Sequence, residues 1–407
     1  MNKKSLWRKP SLTGLQRKEA GFAIGLVLTI FVILIVIGIG LLNLGLQGRL
    51  QAVRAASEIS AKCAADAGLT KSLFEMNKKL AVKPWSEGVL PSATNESLPN
   101  SDATFSYTVT GSVDGGYIVE SVGRYGRAEK TVRSILRLAG LFEKAVFTQG
   151  SLELKNGTVV DSYNNDAEDG NMLIGTNSTT AGSLIMKSGV TIEGDIAVGA
   201  GGDPALVIVG ESGATVTGEI YTMAETYAFP PITVPDSLVA LPKSQIKATT
   251  KTISGNARYD NINLGNSQIV QITGPSTIYV SGNVDLSNSA QLQIVNGGSL
   301  TMYVGGSFVS KNGGLLNNVT QDPTKLRIYG LDGCKKFDLM TDGTFYGAIY
   351  APNADLKSHN SVEIFGSVAA KSFTQSVSAG LHYDAALNDV TVNDVGVRFV
   401  VTRWYEE

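Results

Sequence analysis

The chain has 407 residues, with 34 Lys and Arg against 36 Asp and Glu and a formal net charge of −2. That balance creates no general attraction for nucleic acid, and two cysteines, Cys63 and Cys334, cannot form the disulfide framework of a small secreted scaffold, so a buried core must hold the fold. Charged residues make up only 17% and Gly reaches 45, a composition suited to short strands and tight turns more than to packed helices.

The first element in chain order is a helix. No ionisable side chain occurs between Glu19 and Arg49. About 20 apolar residues cross a bilayer, whereas the apolar part of a cleaved secretory signal is roughly 7 to 15 residues long. The stretch Ala20 to Gly48 exceeds both, so a single membrane span is expected. Lys3, Lys4, Arg8, Lys9, Arg17 and Lys18 precede it, against Arg49, Arg54 and Lys62 in the twenty residues that follow. The positive-inside rule then keeps the N-terminus cytoplasmic and exports the remainder.

Residues 1–21 form a basic leader ending Arg17-Lys18-Glu19-Ala20-Gly21, followed by Phe22-Ala23-Ile24-Gly25-Leu26 and the apolar run. Here the sequence resembles the prepilin-like family, and among its members the minor-pilin-like pilus assembly proteins of the PilX type. The resemblance implies a peptidase cut after Gly21, with Phe22 as the methylated mature N-terminus, and a place in the bacterial inner membrane with the C-terminal part in the periplasm or outside the cell. Leu26 stands where typical pilins carry the Glu that pairs with a neighbouring subunit's terminal amine. The other reading of these residues is an ordinary uncleaved signal anchor.

The transmembrane and stalk helix is expected over 22–80. Ala52, Ala56, Ile59, Cys63 and Ala67 share one face, opposite Arg54, Glu58, Lys62 and Asp66. Small residues allow close helix approach, so this face serves either other pilin-like stalks or the protein's own next domain. Lys83-Pro84-Trp85 ends the helix. Residues 81–140 hold a loop, read over 86–103, and then an antiparallel meander: Phe105, Tyr107 and Val109 alternate, Asp114-Gly115-Gly116 turns, Ile118 to Val122 follow, and Val132 to Leu138 alternates with Arg133 and Arg137 facing out. A helix plus a small sheet is also what the pilin resemblance implies.

From 141 to 387 a repeat takes over. Gly-x-Ile/Val or a close variant recurs at Gly194, Gly218, Gly282, Gly306, Gly347 and Gly366, with strand-length runs such as Leu206 to Val209 and Gln291 to Val295 between. Short strands closed by Gly or Asn at a period of about 20 residues predict a parallel β-helix; a β-sandwich would show turns every 8 to 12 residues or so with no longer period. The Pro-rich segment near 228–242 cannot pair centrally and is expected outside the coils as a strap. Residues 388–407 read as a terminal strand that either caps the stack or returns to the meander. Several phrases, among them Val160-Asp161-Ser162-Tyr163-Asn164 and Phe345-Tyr346-Gly347-Ala348-Ile349, resemble the exported β-helical region often attached to PilX-type N-termini, whose role is undefined and which implies no catalytic residues.

No arrangement of residues announces chemistry. His359 and His382 lack zinc-site spacing or a Cys partner and read as solvated turn histidines. Asp161, Asp166, Glu168 and Asp169 could gather oxygen ligands for calcium but lack the alternating spacing of a calcium loop. Asp338 and Asp342, near Arg327, Lys335 and Lys336, are the best carboxylates for sugar cleavage, and polar loop residues account for them equally well. The expected protein is therefore mainly β: a long N-terminal transmembrane and stalk helix, a small antiparallel meander, then a parallel β-helix. Its expected role is a membrane-anchored, non-catalytic, pilin-like structural or adhesive surface subunit of a type IV pilus or type II secretion-like apparatus, with no cofactor. The alternative is an anchored β-helix that binds or degrades polysaccharide at the surface.

Overall fold

A computed structural model describes residues 20–113, 115–164, 172–246, 250–340 and 343–406. Most of the basic leader, Asp166, Glu168, Asp169 and Asp342 lie outside them. The described chain forms two compact units, one of residues up to Met76 with Gly88–Ile135 and the residues from Val401, the other of Asn77–Glu87 and Leu136–Val400.

In the first unit the helix α1 (Ala20–Leu80) begins with an apolar stretch whose side chains, from Ile24 onward, are exposed. It is long and apolar enough to cross a membrane. Further along, Ala61, Ala64, Ala65, Gly68, Leu69, Ser72 and Met76 are buried against an antiparallel sheet. Its strands are β1 (Ser92–Ser97), β2 (Thr104–Ser112), β3 (Gly116–Tyr125) and β4 (Ala128–Ala139), with the C-terminal strand beside β4 at the edge. The contact is backbone to backbone: a Cβ on Gly123 would lie 2.0 Å from the Ala61 carbonyl oxygen. The stripe Ala52, Ala56, Ile59 and Cys63 stays exposed: burial along the helix begins only at Ala61, and Cys63 lies off the face that the sheet covers. Strand β1 lies inside the stretch read as a loop. It is a polar edge strand, its register broken between Ala93 and Glu96, and so carries no apolar alternation to reveal it.

The second unit is a three-sided parallel β-helix. Its first series starts with β5 (Val146–Thr148) and β6 (Leu152–Leu154), continues through β7 (Val159–Tyr163), β8 (Leu173–Thr176) and β9 (Leu184–Met186), then β10 (Thr191–Ile192), β11 (Asp195–Val198), the single turn α2 (Pro204–Val207) and β12 (Ile208–Gly210), and stops at β13 (Thr215–Val216) and β14 (Ile220–Thr222). A strap with one helical turn, α3 (Asp236–Val239), then runs back along the outside. The second series opens at the far end with β15 (Thr250–Ile253), β16 (Ala257–Tyr259) and β17 (Ile262–Leu264), followed by β18 (Ile269–Ile272), β19 (Pro275–Val280) and β20 (Val284–Leu286). Next come β21 (Gln291–Ile294), β22 (Ser299–Val304) and β23 (Phe308–Ser310), β24 (Leu315–Asn318), β25 (Leu326–Gly330) and β26 (Lys336–Leu339), and the long β27 (Thr344–Ser358) and β28 (Glu363–Gln375). It closes on β29 (Gly380–Asp384).

The two series meet in the middle of the stack. Strand β28 pairs with β5 and β6, while β29 lies between β28 and β7. One rung is therefore composite, with β29 from the second series on one side and β5 and β6 from the first on the other two. The reason is topological. The final strand, β30 (Arg398–Glu406), neighbours β4, so the whole solenoid is an insertion between two adjacent strands of the small sheet. A one-way coil would leave its ends apart by the stack height, roughly 45 Å at about 4.8 Å per rung. Starting mid-stack and returning by the strap brings both ends of the insertion to one rung. The strap's residues 223–249 could reach about 90 Å fully extended, so the return is not limiting. Since β30 joins the meander sheet, it does not cap the stack.

Two features hold the coils. Aliphatic side chains fill the interior, with Ile278, Met302, Ile328, Ile349 and Val368 in register and fully buried. At the corners, Gly-x-Ile/Val gains a physical reason: the Asn283 side-chain oxygen accepts from Ser307 N–H of the next rung at 2.8 Å, and Asn261 does the same for Asn283. A Cβ on Gly306 would lie 2.2 Å from that Asn283 oxygen, so Gly is required beside each Asn step.

Candidate functional site

The composite rung brings ionisable and aromatic side chains of both strand series into contact. On its first side the register aligns Tyr346 with Phe365, Phe365 with His382, and His382 with Asp161. The rings of Tyr346 and Phe365 stack at 4.5 Å and those of Phe365 and His382 at 4.4 Å; Tyr163 meets Phe365 edge-on at 4.8 Å. His382 Nε2 lies 2.9 Å from Glu363 Oε2, and Nδ1 bonds Asp161 Oδ1. The Glu363 carboxylate also accepts from Gly380 N–H at 2.7 Å. The bond to Asp161 foremost, with Glu363, raises the His382 pKa above its ordinary value despite burial. The ring faces are spent on one another and both His nitrogens are engaged. The arrangement suits a charged staple between rungs better than a general base, which needs a free nitrogen.

This corrects the reading of His382 as a solvated turn histidine. His359 does lie in a turn, yet its Nε2 is buried without a hydrogen-bond partner. Asp161 serves the staple, and the other calcium candidates fall outside the described residues, among which no group of three or more His, Cys, Asp or Glu is placed to hold a metal. Asp338 is buried and pairs with Lys336 at 2.9 Å, while Arg327 pairs with Asp394 at 2.9 Å, so these groups are committed to neighbours and do not converge. Cys63 is exposed and Cys334 buried, and both are free. Gly21 and Phe22 lie in the first turn of α1. The Glu363–His382 pair was within reach of the rung period, but Asp161 belongs to the other series, and no chain spacing reveals it.

A second face carries a tyrosine column, Tyr279, Tyr303, Tyr329 and Tyr350, which the strap covers. Tyr350 donates to the Pro230 carbonyl at 2.7 Å, and Asn177 clamps the Tyr227 backbone on both its N–H and its carbonyl. Burial pushes the Tyr227 and Tyr303 hydroxyls up to about 12. They remain neutral packing and hydrogen-bonding groups.

Fold and site together define a long apolar helix joined to a small antiparallel sheet into which a parallel β-helix is inserted. A family model described as a domain of unknown function, DUF7305, matches residues 236–390, which is α3 and the second strand series. No curated protein sequence matches the chain. Among solved structures it is similar to the competence-associated pilin ComZ from Thermus thermophilus, at 12% identity and a TM-score of 0.21, over 86% of this chain and 97% of that one. It is also similar to the DUF3494 domain of a Shewanella frigidimarina ice-binding protein, at 13% identity and a TM-score of 0.24, over 59% and 94%. An ice-binding protein from an Antarctic bacterium of the Flavobacteriaceae shows 10% identity and a TM-score of 0.16, over 59% and 80%.

Proposed function

We propose that this protein is a membrane-tethered, pilin-like surface subunit of structural or adhesive role, held in the inner membrane by α1 with its N-terminus cytoplasmic and its solenoid exported. The supporting observation is the division of labour within α1. Its first part exposes an uncharged apolar surface long enough for a bilayer, and its later part packs small residues on an antiparallel sheet. That combination matches what the resemblance around Gly21 and Phe22 implies, and the exposed stripe Ala52, Ala56, Ile59 and Cys63 offers a face to neighbouring stalks. In this reading the role is non-catalytic, which the commitment of Asp338 to Lys336 supports. The test is mass spectrometry of the native protein from cells that contain a prepilin peptidase. A mature chain beginning at a methylated Phe22 supports the reading; a chain that retains Met1 defeats it.

A further inference from the structure

The two ends of the β-helix are finished differently. At the end that starts with β15, the chain leading into the coil covers its own first rung: Lys243 bridges Arg258, Ile246 packs on the core, and Tyr259, Ile262 and Leu264 are buried. At the opposite end nothing among the described residues covers the last rung. The column Ile174, Ile196 and Ile220 shows this directly, because the first two are fully buried and Ile220 is 47% exposed. In the column Val160, Ile192 and Val216 the first two are again fully buried and Val216 is only half-buried. Leu206 and Val209 extend the apolar surface. Strands β13 and β14 pair on one side only, with β10 and β11, so their outer backbone groups stay free for another strand.

The rim of this end has one sign of charge. No Lys or Arg occurs between Lys187 and Lys243, while Glu193, Glu211, Glu219 and Glu225 are exposed there. Lys187 answers only Glu211, at 2.7 Å. A second copy meeting this end through a two-fold axis would bring acid against acid, and a head-to-tail copy would meet an end already covered by its own chain.

We propose that the open end is an acceptor for an extended segment of a partner protein in which aliphatic and basic residues alternate. Its backbone would pair along β14 and β13, its aliphatic side chains would cover Ile220 and Val216, and its basic side chains would meet the glutamate rim. This is strand addition, in which main-chain pairing supplies affinity and side-chain alternation supplies selectivity.

Full-length protein in nanodiscs is titrated with three synthetic peptides: alternating Val-Lys, alternating Val-Glu, and one with the Val and Lys of the first gathered into two blocks. The alternating Val-Lys peptide is expected to bind at least about tenfold more tightly than the other two and to weaken as salt rises. Ile220→Lys, at a half-exposed position, is expected to abolish that binding while the protein still melts cooperatively with an unchanged circular dichroism spectrum. Equal binding of the alternating and blocked Val-Lys peptides would overturn the proposal, as would binding indifferent to Ile220→Lys. Sedimentation of the peptide-free protein as a dimer that Ile220→Lys converts to monomer would also overturn it, since the occupant would then be a second copy.

Discussion

A pH series on His382→Gln tests the composite rung. His382 lies on β29, and the groups that face it come from the strands on either side: Glu363 and Phe365 on β28 and Asp161 on β7, with Tyr163 of β7 and Tyr346 of β27 against the Phe365 ring. Both ring nitrogens donate only in the imidazolium form, and the folded state raises the imidazole pKa. A raised pKa means that the stabilisation is fully present below the unfolded value of about 6.5 and is lost as pH rises through the folded value. Charge-assisted hydrogen bonds contribute about 1.5–3 kcal/mol each when shielded from water. These side chains are 20% to 35% exposed, so solvent screening reduces the pair to about 2 kcal/mol in total. For a unit of this size that corresponds to roughly 3–4 °C in melting temperature. Calorimetry of wild type and His382→Gln from pH 5.5 to 9 should show the largest difference at the acid end and a difference shrinking at the alkaline end to the pH-independent loss of the His382–Phe365 stack. A gap that is constant with pH, or absent throughout, would refute the charged staple.

Three further outcomes follow from the packing. Gly306→Ala places a Cβ 2.2 Å from the Asn283 oxygen that accepts from Ser307 N–H; it should lower stability by about 1–3 kcal/mol, read from the urea midpoint, with Asn283→Ala costing about 1 kcal/mol. Gly123→Ala drives a methyl group into the Ala61 carbonyl, so amide exchange in β2 and β3 should accelerate by about tenfold or more while the solenoid amides are unchanged. A protease site placed at Glu225 and Thr226 cuts the exposed start of the strap. The two fragments should stay together in gel filtration without denaturant, because β5, β6 and β7 are laddered to β28 and β29; separation of the fragments would contradict the interleaved stack.

What the sequence showed and hid follows from the range over which each signal acts. The helix was legible because the charge-free run from Ala20 to Gly48 is too long and too uniformly apolar for a strand, and its length and apolarity are local properties of the sequence. The coils were legible because strand length and corner glycines are local. The corner motif, though, marks two different corners: Gly282 and Gly306 precede one side of the coil, while Gly194, Gly218, Gly347 and Gly366 precede another. The order of the rungs was not legible. Each rung satisfies the same pattern, so nothing in β5 or β28 announces that they are neighbours, and the strap's prolines reveal an outside path but not its destination. His382 looked bland for the same reason, since its partner Asp161 lies beyond the strap. The terminal strand was visible in Phe399 and Val401, yet alternation specifies a strand and leaves its neighbour open.

The mid-stack start of the solenoid has a consequence for how such a protein can change. In a coil that begins at one end and finishes at the other, every added turn moves the two attachment points apart and must be matched by a longer tether. Here both attachment points belong to one rung, and each arm ends in the strap. A turn gained or lost in either arm changes only how far the strap must run, and the strap has slack. Length on each side of the anchor is thus free to vary independently while the small sheet and its helix stay as they are.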